Sequence, residues 1–214
     1  MYHMVHQCAM LAQAVPTQDL IQPKQRLLGA VIEHIQRSGI TELSLRELAA
    51  AIGTSHRMLL YHFGSREGLM VAVVHAVEEQ QRAFLAELME SNPNASRSDV
   101  QRTMWQRLVD PRLWPNERLF FELYVAALHH RPGTTGMLDD IVDAWVRPMV
   151  LFAREHGYDE QLAATDTRLG VAVMRGLLLD LLATRDREAV ERAFDRYLAL
   201  QQATEELVEQ LARS

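Results

Sequence analysis

The sequence predicts an all-α fold, and three observations carry that expectation. Apolar residues recur at three- and four-residue intervals along most of the chain. No stretch alternates apolar and polar residues as a half-buried strand would, and no short-period repeat is present. The clearest interruptions, such as Asn92-Pro93-Asn94, fall between periodic segments. With 214 residues, 48% of them hydrophobic, the chain can bury a substantial core, as one large domain or as a small one joined to a larger.

Residues 1–22 read as a flexible N-terminal segment ahead of the folded part. Pro23 suits the first turn of a helix, where its missing N–H costs nothing; Leu27, Leu28, Val31, Ile32 and Ile35 form that helix's apolar stripe, and Ser38-Gly39 ends it. A second helix is announced by Ser44 and Glu47, a Ser-x-x-Glu capping box in which each side chain satisfies a backbone N–H of the first turn. Leu45, Leu48, Ala49 and Ile52 follow at helical spacing, and Gly53 stands where the chain must turn. Ser55 can cap a third helix, which turns His56, Arg57 and Met58 outward and packs Leu59 and Phe63 inward. The segment Ser44 to Phe63 therefore has the shape of a helix-turn-helix that reads DNA, inside a three-helix unit at residues 23–68.

Residues 69–214 are expected to form a larger helical body. Gly64-Ser65 begins a long helix to about Met89, with Leu69, Val73, Val77, Phe84 and Leu88 along one side, which bridges the small unit to the rest. Ser96 to Asp99 cap a helix through Val109. Pro111 and Pro115 punctuate the next connection. Further helices are expected from about Asn116 to His130, Gly136 to Glu155, Glu160 to Ala183 and Glu188 to Leu211. Around Leu169 the sequence is apolar on most sides of the helix, so that segment must be buried by several partners. Together with the last helix it offers a seam for a second subunit: Leu169, Val173, Leu177 and Leu181 facing Phe194, Tyr197 and Leu198.

Charge divides the chain as the helices do. From Lys24 to Met70 there are six Lys or Arg against four Asp or Glu; residues 71–214 hold sixteen Arg against twenty-three Asp or Glu. The overall charge of -6 excludes indiscriminate nucleic-acid binding, whereas a basic head on an acidic body can place its cations on phosphates.

In order and spacing the stretch from Lys24 to Leu69 resembles the DNA-binding domain of the TetR family of bacterial transcriptional regulators. The residues that carry the resemblance are Ser44-Leu45-Arg46-Glu47-Leu48-Ala49, Ile52-Gly53-Thr54-Ser55, Tyr61-His62-Phe63 and Ser65-Arg66-Glu67-Gly68-Leu69. The remaining two-thirds is similar only in its helical plan, including Gly176-Leu177-Leu178-Leu179-Asp180 in a dimerisation helix. Two departures stand out. Arg57-Met58-Leu59-Leu60 replaces a small residue followed by Thr-Leu-Tyr, so that Leu60 removes a phenol used on phosphate and Tyr61 becomes its candidate replacement. Arg66 replaces a Lys, keeping the charge but with forked geometry.

The resemblance implies a homodimer that docks two short recognition helices about 34 Å apart, or a multiple of it, on a near-palindromic double-stranded operator. It also implies a ligand-responsive repressor, in which a small molecule in the helical body shifts the bridging helix. Arg57 is the candidate for direct readout of guanine, His56 for a base or phosphate, and Met58 for a thymine methyl. Arg46 resembles a position that the family uses for base contact. Ser44, Tyr61, His62 and Arg66 are candidates to hold phosphates and set register, with His62 equally suited to packing, and Ser55 is a further DNA-binding candidate. In the body, Met104, Trp105, Phe120, Phe121, Tyr124, Trp145 and Met174 form an aromatic and methionine set that suits a small apolar ligand, with His129, His130 or Arg131 as a polar anchor.

Catalysis finds no support. The nine histidines, among them His3, His6, His34, His75 and His156, form no recognised ligand set, and there is no phosphate-cradling glycine loop and no nucleophile elbow. No cofactor or metal is expected. The single cysteine, Cys8, rules out an internal disulfide framework and fits a reducing compartment. The apolar run Leu169 to Ala183 is too short and too charged, at Arg175 and Asp180, for a bilayer span. MYHMVHQCAMLAQAVP lacks the basic cluster of a secretory signal, so a cytoplasmic protein is expected. Two other classes compete with the regulator: a carrier of small molecules whose helix-turn-helix is structural, and a metal-assisted helical enzyme.

Overall fold

A computed structural model describes residues 23–38, 44–155, 157 and 159–212. His3, His6, Cys8, Gly39 and His156 lie outside the described residues, as do the N-terminal segment and the readings that rest on it. Every regular element among the described residues is helical. In chain order they are α1 (Pro23–Ser38), α2 (Leu45–Ala51), α3 (His56–Phe63), α4 (Arg66–Ser91), α5 (Arg97–Leu108), α6 (Trp114–Leu128), a 3-10 turn (Thr135–Met137), α7 (Asp143–Glu155), α8 (Glu160–Thr184) and α9 (Arg187–Ala212). None is long and apolar enough to cross a membrane.

Helix starts follow the capping chemistry of the sequence. Ser44 Oγ accepts from Glu47 N at 3.3 Å while the Glu47 carboxylate accepts from Ser44 N at 2.8 Å, completing the box. Ser55, Ser65 and Asp159 cap α3, α4 and α8 through single side-chain bonds, and Ser96 with Asp99 forms a second box on α5. Gly53 ends α2 at φ +71, a backbone that a side chain would strain.

Two apolar cores organise the chain. The first runs without a gap from the small unit into the body: Val31, Ile32, Ile35, Leu45, Leu48, Ala49 and Leu59 join Leu69, Met70, Val73 and Val74 of α4, then Leu119, Phe120 and Leu123 of α6. Through α4, the helices around the reading head share one packed interior with the body. The second core lies at the far end, where Trp105 of α5 stacks on Phe194 of α9 at 4.8 Å, with Leu178, Leu181, Val190 and Leu198 around them. Ion pairs at 2.7 Å from Arg97 to Asp166 and from Arg102 to Asp195 fasten α5 to α8 and α9.

The fold differs from the sequence expectation in two places. No helix begins at Gly136. The chain makes the 3-10 turn, passes through Asp140 at φ +56, and enters α7 only at Asp143. The Asp140 carboxylate is clamped by the Arg147 guanidinium at 2.9 and 3.0 Å, which fixes that left-handed corner. The proposed subunit seam also loses members. Leu181 and Phe194 are fully enclosed and Leu198 nearly so, all in the second core, so these three residues hold the subunit together and cannot face a partner.

Candidate DNA-reading head and the buried junction behind it

α3 is eight residues long, about 12 Å at 1.5 Å per residue, short enough to enter a major groove. Leu59 is fully buried and anchors it, and Phe63 packs on the same core beneath the Lys24 ammonium, 5.6 Å from its ring centroid. The face opposite Leu59 is open. Arg57 is exposed, Met58 and Leu60 are each 38% exposed, and Tyr61 is 79% exposed. His56 is half-buried at the first turn beside the exposed cap Ser55. On the supporting helix Arg46 is exposed next to Ser44.

Ser44 has a second attachment, because its hydroxyl also donates to the Glu47 carboxylate at 2.7 Å. That hydrogen bond, and then the one from Ser44 N–H, hold the Glu47 carboxyl below its ordinary range. Glu47 is thus committed to the helix start, where it keeps its negative charge. His62 is turned inward: its ring meets Tyr61 edge-on at 5.0 Å, and Nε2 is buried without a hydrogen-bond partner. Arg66 is half-buried in the first turn of α4.

Of the body residues expected to gather, only some do. Phe120 meets Phe121 at 5.2 Å and Tyr124 at 5.7 Å between ring centroids. Trp145 faces α4, where its indole N–H donates to the Glu78 carboxylate at 2.8 Å. Trp105 belongs to the second core through its stack on Phe194, and Met174 packs against the same group. Met104 is buried on α5 beside Trp105, so the seven residues are distributed over two cores, with Phe121 packed against both. His129, His130 and Arg131 are exposed at the end of α6.

The sequence reading missed the charged residues at the junction of α4, α6, α7 and α8. Glu78 Oε2 takes Trp145 Nε1, the Arg175 guanidinium at 3.3 Å and, more distantly, Arg82 at 3.8 Å. Arg175 also donates to the Ile141 carbonyl at 2.9 Å and lies over the Phe120 ring, 4.8 Å from its centroid. Glu117, in the first turn of α6, is only 6% exposed. Burial, and secondarily the charge of Glu78, push that carboxyl up to about 8 against the opposing pull of Arg175. Next to it the amide of Asn116 is buried with neither atom paired. One signal was available in the sequence: Arg175 interrupts a run of apolar residues on a helix that must be buried, and a buried guanidinium requires a carboxylate.

The stretch between the junction and the head is tightly fitted. His75 Nε2 lies 2.9 Å from the Gly136 carbonyl, and a Cβ on Gly133, at φ +81, would stand 2.9 Å from Glu67 Cβ. The segment from Gly133 to Ile141 therefore touches the first turn of α4 at one end and Arg175 at the other.

Residues 27–73 match the family model described as bacterial regulatory proteins, tetR family. A curated relative, the HTH-type transcriptional regulatory protein RaaS of Mycobacterium tuberculosis, is 39% identical over 67 residues. That match spans 31% of this chain and 31% of the relative, about a third of each. Among solved structures, a TetR transcriptional regulator from Legionella pneumophila superposes with a TM-score of 0.62 at 19% identity, over 84% of this chain and 96% of that one. The multidrug binding protein EbrR, solved in complex with proflavin, is 29% identical with a TM-score of 0.54, over 81% of this chain and 98% of that one.

Proposed function

Since the chain belongs to the tetR family of bacterial regulatory proteins, we propose that it is a DNA-binding transcriptional regulator, a homodimeric repressor released by a small molecule. One observation carries the DNA reading. α3 spends Leu59 and Phe63 on its own anchorage and leaves Arg57, Met58 and Tyr61 on the open face, with Arg46 exposed on the supporting helix. A helix stabilised only on its inner face can give its outer side chains to base edges without cost to the fold. Arg57 suits guanine, where a guanidinium meets two acceptors, and Tyr61 suits a phosphate in place of the phenol that Leu60 lacks.

Pairing is supported by the leucines that α8 and α9 leave in water. Leu162, Leu169 and Leu179, with Leu200 and Leu207, are each more than half exposed in the isolated chain. With the half-buried Val173, Leu177 and Tyr197 they offer a seam that a second copy would cover. Responsiveness is supported by α4, whose first half is buried with the head and whose middle reaches Glu78 and Gln81 in the body. EbrR with proflavin supports a small-molecule effector.

Selection from a random duplex pool should return an inverted repeat. On that repeat, Arg57→Ala and Arg46→Ala should each weaken binding by about 1–3 kcal/mol and relax preference at single positions. Unchanged sequence-specific binding in the double variant would overturn the assignment. A dimer that binds small molecules but no specific DNA would establish the carrier instead.

A further inference from the structure

We propose that the cleft between the end of α1 and the connection from α5 to α6 binds a small oxyanion, a phosphate or carboxylate group carried by a small molecule, and that Arg107 is its anchor. The site stands apart from the α3 face and does not depend on the DNA reading or on the effector of the body.

Space and charge coincide there. The cleft has a volume of about 440 Å³, which is within the range of small-molecule sites, and its lining is drawn from both parts of the chain. Gln36 and Arg37 come from the end of α1, Arg107 from the last turn of α5, and Asp110, Arg112 and Leu113 from the connection that follows. Three guanidinium groups line it against one carboxylate, although the body as a whole is acidic. Such a concentration of one sign in a concave surface draws in ions of the other.

The three arginines are held differently. Arg112 is compensated, because its Nε donates to both Asp110 oxygens, at 3.0 and 2.9 Å. Arg37 approaches Glu33 only at 3.7 Å, with both side chains largely exposed, a weak pair that can give way to another anion. Arg107 is half-buried, and both contacts that hold it are with neutral groups. Its Nε donates to Gln81 Oε1 at 2.7 Å, and its guanidinium lies over the Phe84 ring, 4.5 Å from the centroid. Gln81 is itself 3% exposed, so the amide that orients Arg107 is fixed in the interior. Arg107 forms no ion pair among the described residues. A buried amide and a ring thus aim this cation without neutralising it. Withdrawing a cation from water without a counter-ion is unfavourable, and a bound oxyanion offsets that cost. With Nε committed to Gln81, the Nη pair is the end of the fork that suits the two oxygens of a carboxylate or phosphate.

Arg37 belongs to the helix that shares its core with α2 and α3, whereas Arg107 belongs to the body. An oxyanion that meets both guanidinium groups therefore spans from head to body, a second connection beside α4.

The test uses the full-length protein with inorganic phosphate and succinate as probes, at an ionic strength kept constant with chloride. Calorimetry should show saturable binding of at least one probe. Phosphate alone assigns the site to phosphate-bearing molecules, succinate alone to carboxylic acids, and both to the oxyanion they share. Arg107→Gln should weaken that binding about tenfold or more, the worth of one charge-assisted contact. Arg37→Gln, at an exposed position that leaves the core untouched, should weaken it about threefold. Arg102→Gln removes an arginine of α5 that lies outside the cleft and pairs with Asp195, and it should change nothing. Failure of both probes to saturate, unchanged affinity in the Arg37 and Arg107 variants, or an equal loss in the Arg102 and Arg107 variants, which would mean an adventitious ion only, would each overturn the site. Hydrogen exchange reads the span from head to body: the bound probe should slow amide exchange in the last turn of α1 as well as in α5, and protection confined to α5 would overturn that span.

Discussion

The outer face of α3 and the junction behind α4 both carry charge, but they hold it in opposite ways. On α3 the guanidinium of Arg57 stands in water, and nothing in the fold depends on it. At the junction Glu78, Glu117 and Arg175 are largely withdrawn from solvent and depend on one another. Exposed charge is cheap to keep and cheap to change, so a recognition surface can vary its target without risking the fold. Buried charge is costly unless paired, and each member constrains the others. Substitutions in the two regions should therefore separate: binding without stability at the head, stability at the junction.

The largest effect that would test this separation is expected from Arg175→Ala. It removes the cation between two buried carboxyls, uncovers the face of Phe120 and frees the Ile141 carbonyl. Breaking a buried pair costs about 3–5 kcal/mol, which for a domain of this size lowers the melting temperature by roughly 10 °C. Arg57→Ala should change stability by less than about 0.5 kcal/mol. Thermal denaturation of both at pH 7 checks the contrast, and two similar small shifts would mean that water reaches the junction.

Glu117→Gln is expected to have a smaller effect, and one that depends on pH. The folded chain holds the Glu117 proton up to about pH 8, whereas the unfolded chain releases it near the ordinary value of 4.5. Between those limits the folded state binds one more proton, so wild-type stability falls as pH rises, and above about 8 the full cost of a buried carboxylate is present. Gln carries no such cost. Each tenfold difference in proton affinity is worth about 1.4 kcal/mol, so the Gln variant should gain a few kcal/mol on the wild type between pH 5 and pH 9. Chemical denaturation across that range reads the slope, and parallel curves would place Glu117 in solvent.

The same contrast explains what could be read from the sequence. The head was legible because its signals are local: Ser44 with Glu47, Gly53 and Ser55 each specify backbone within a few residues, and the structure places a cap or turn at each. The junction was not legible. Glu78, Glu117 and Arg175 come from three helices and, taken singly, look like ordinary surface charges; only packing makes them neighbours. For the same reason Trp105 and Phe120 seemed one aromatic set, although α5 turns the first toward Phe194 and α6 turns the second toward Arg175. Leu181, Phe194 and Leu198 failed as seam residues because apolar spacing marks a buried face without saying whether the same subunit or another covers it.

The smallest predicted effect sharpens the comparison at its edge, because Ser44 belongs to the fold and lies on the DNA-facing side of it. Ser44→Ala removes the Oγ that accepts from Glu47 N and donates to the Glu47 carboxylate, while the bond from Ser44 N–H to that carboxylate can persist. A lost N-cap costs about 1 kcal/mol, a shift of a few degrees in melting temperature. If Ser44 also holds a phosphate, operator affinity should fall further than that loss explains, and equally for every sequence, since a phosphate contact carries no base information. Ser44→Thr restores the cap and supplies a hydroxyl, so it should recover both properties. A variant that loses stability alone would remove Ser44 from the interface and leave the reading to Arg46, Arg57 and Tyr61.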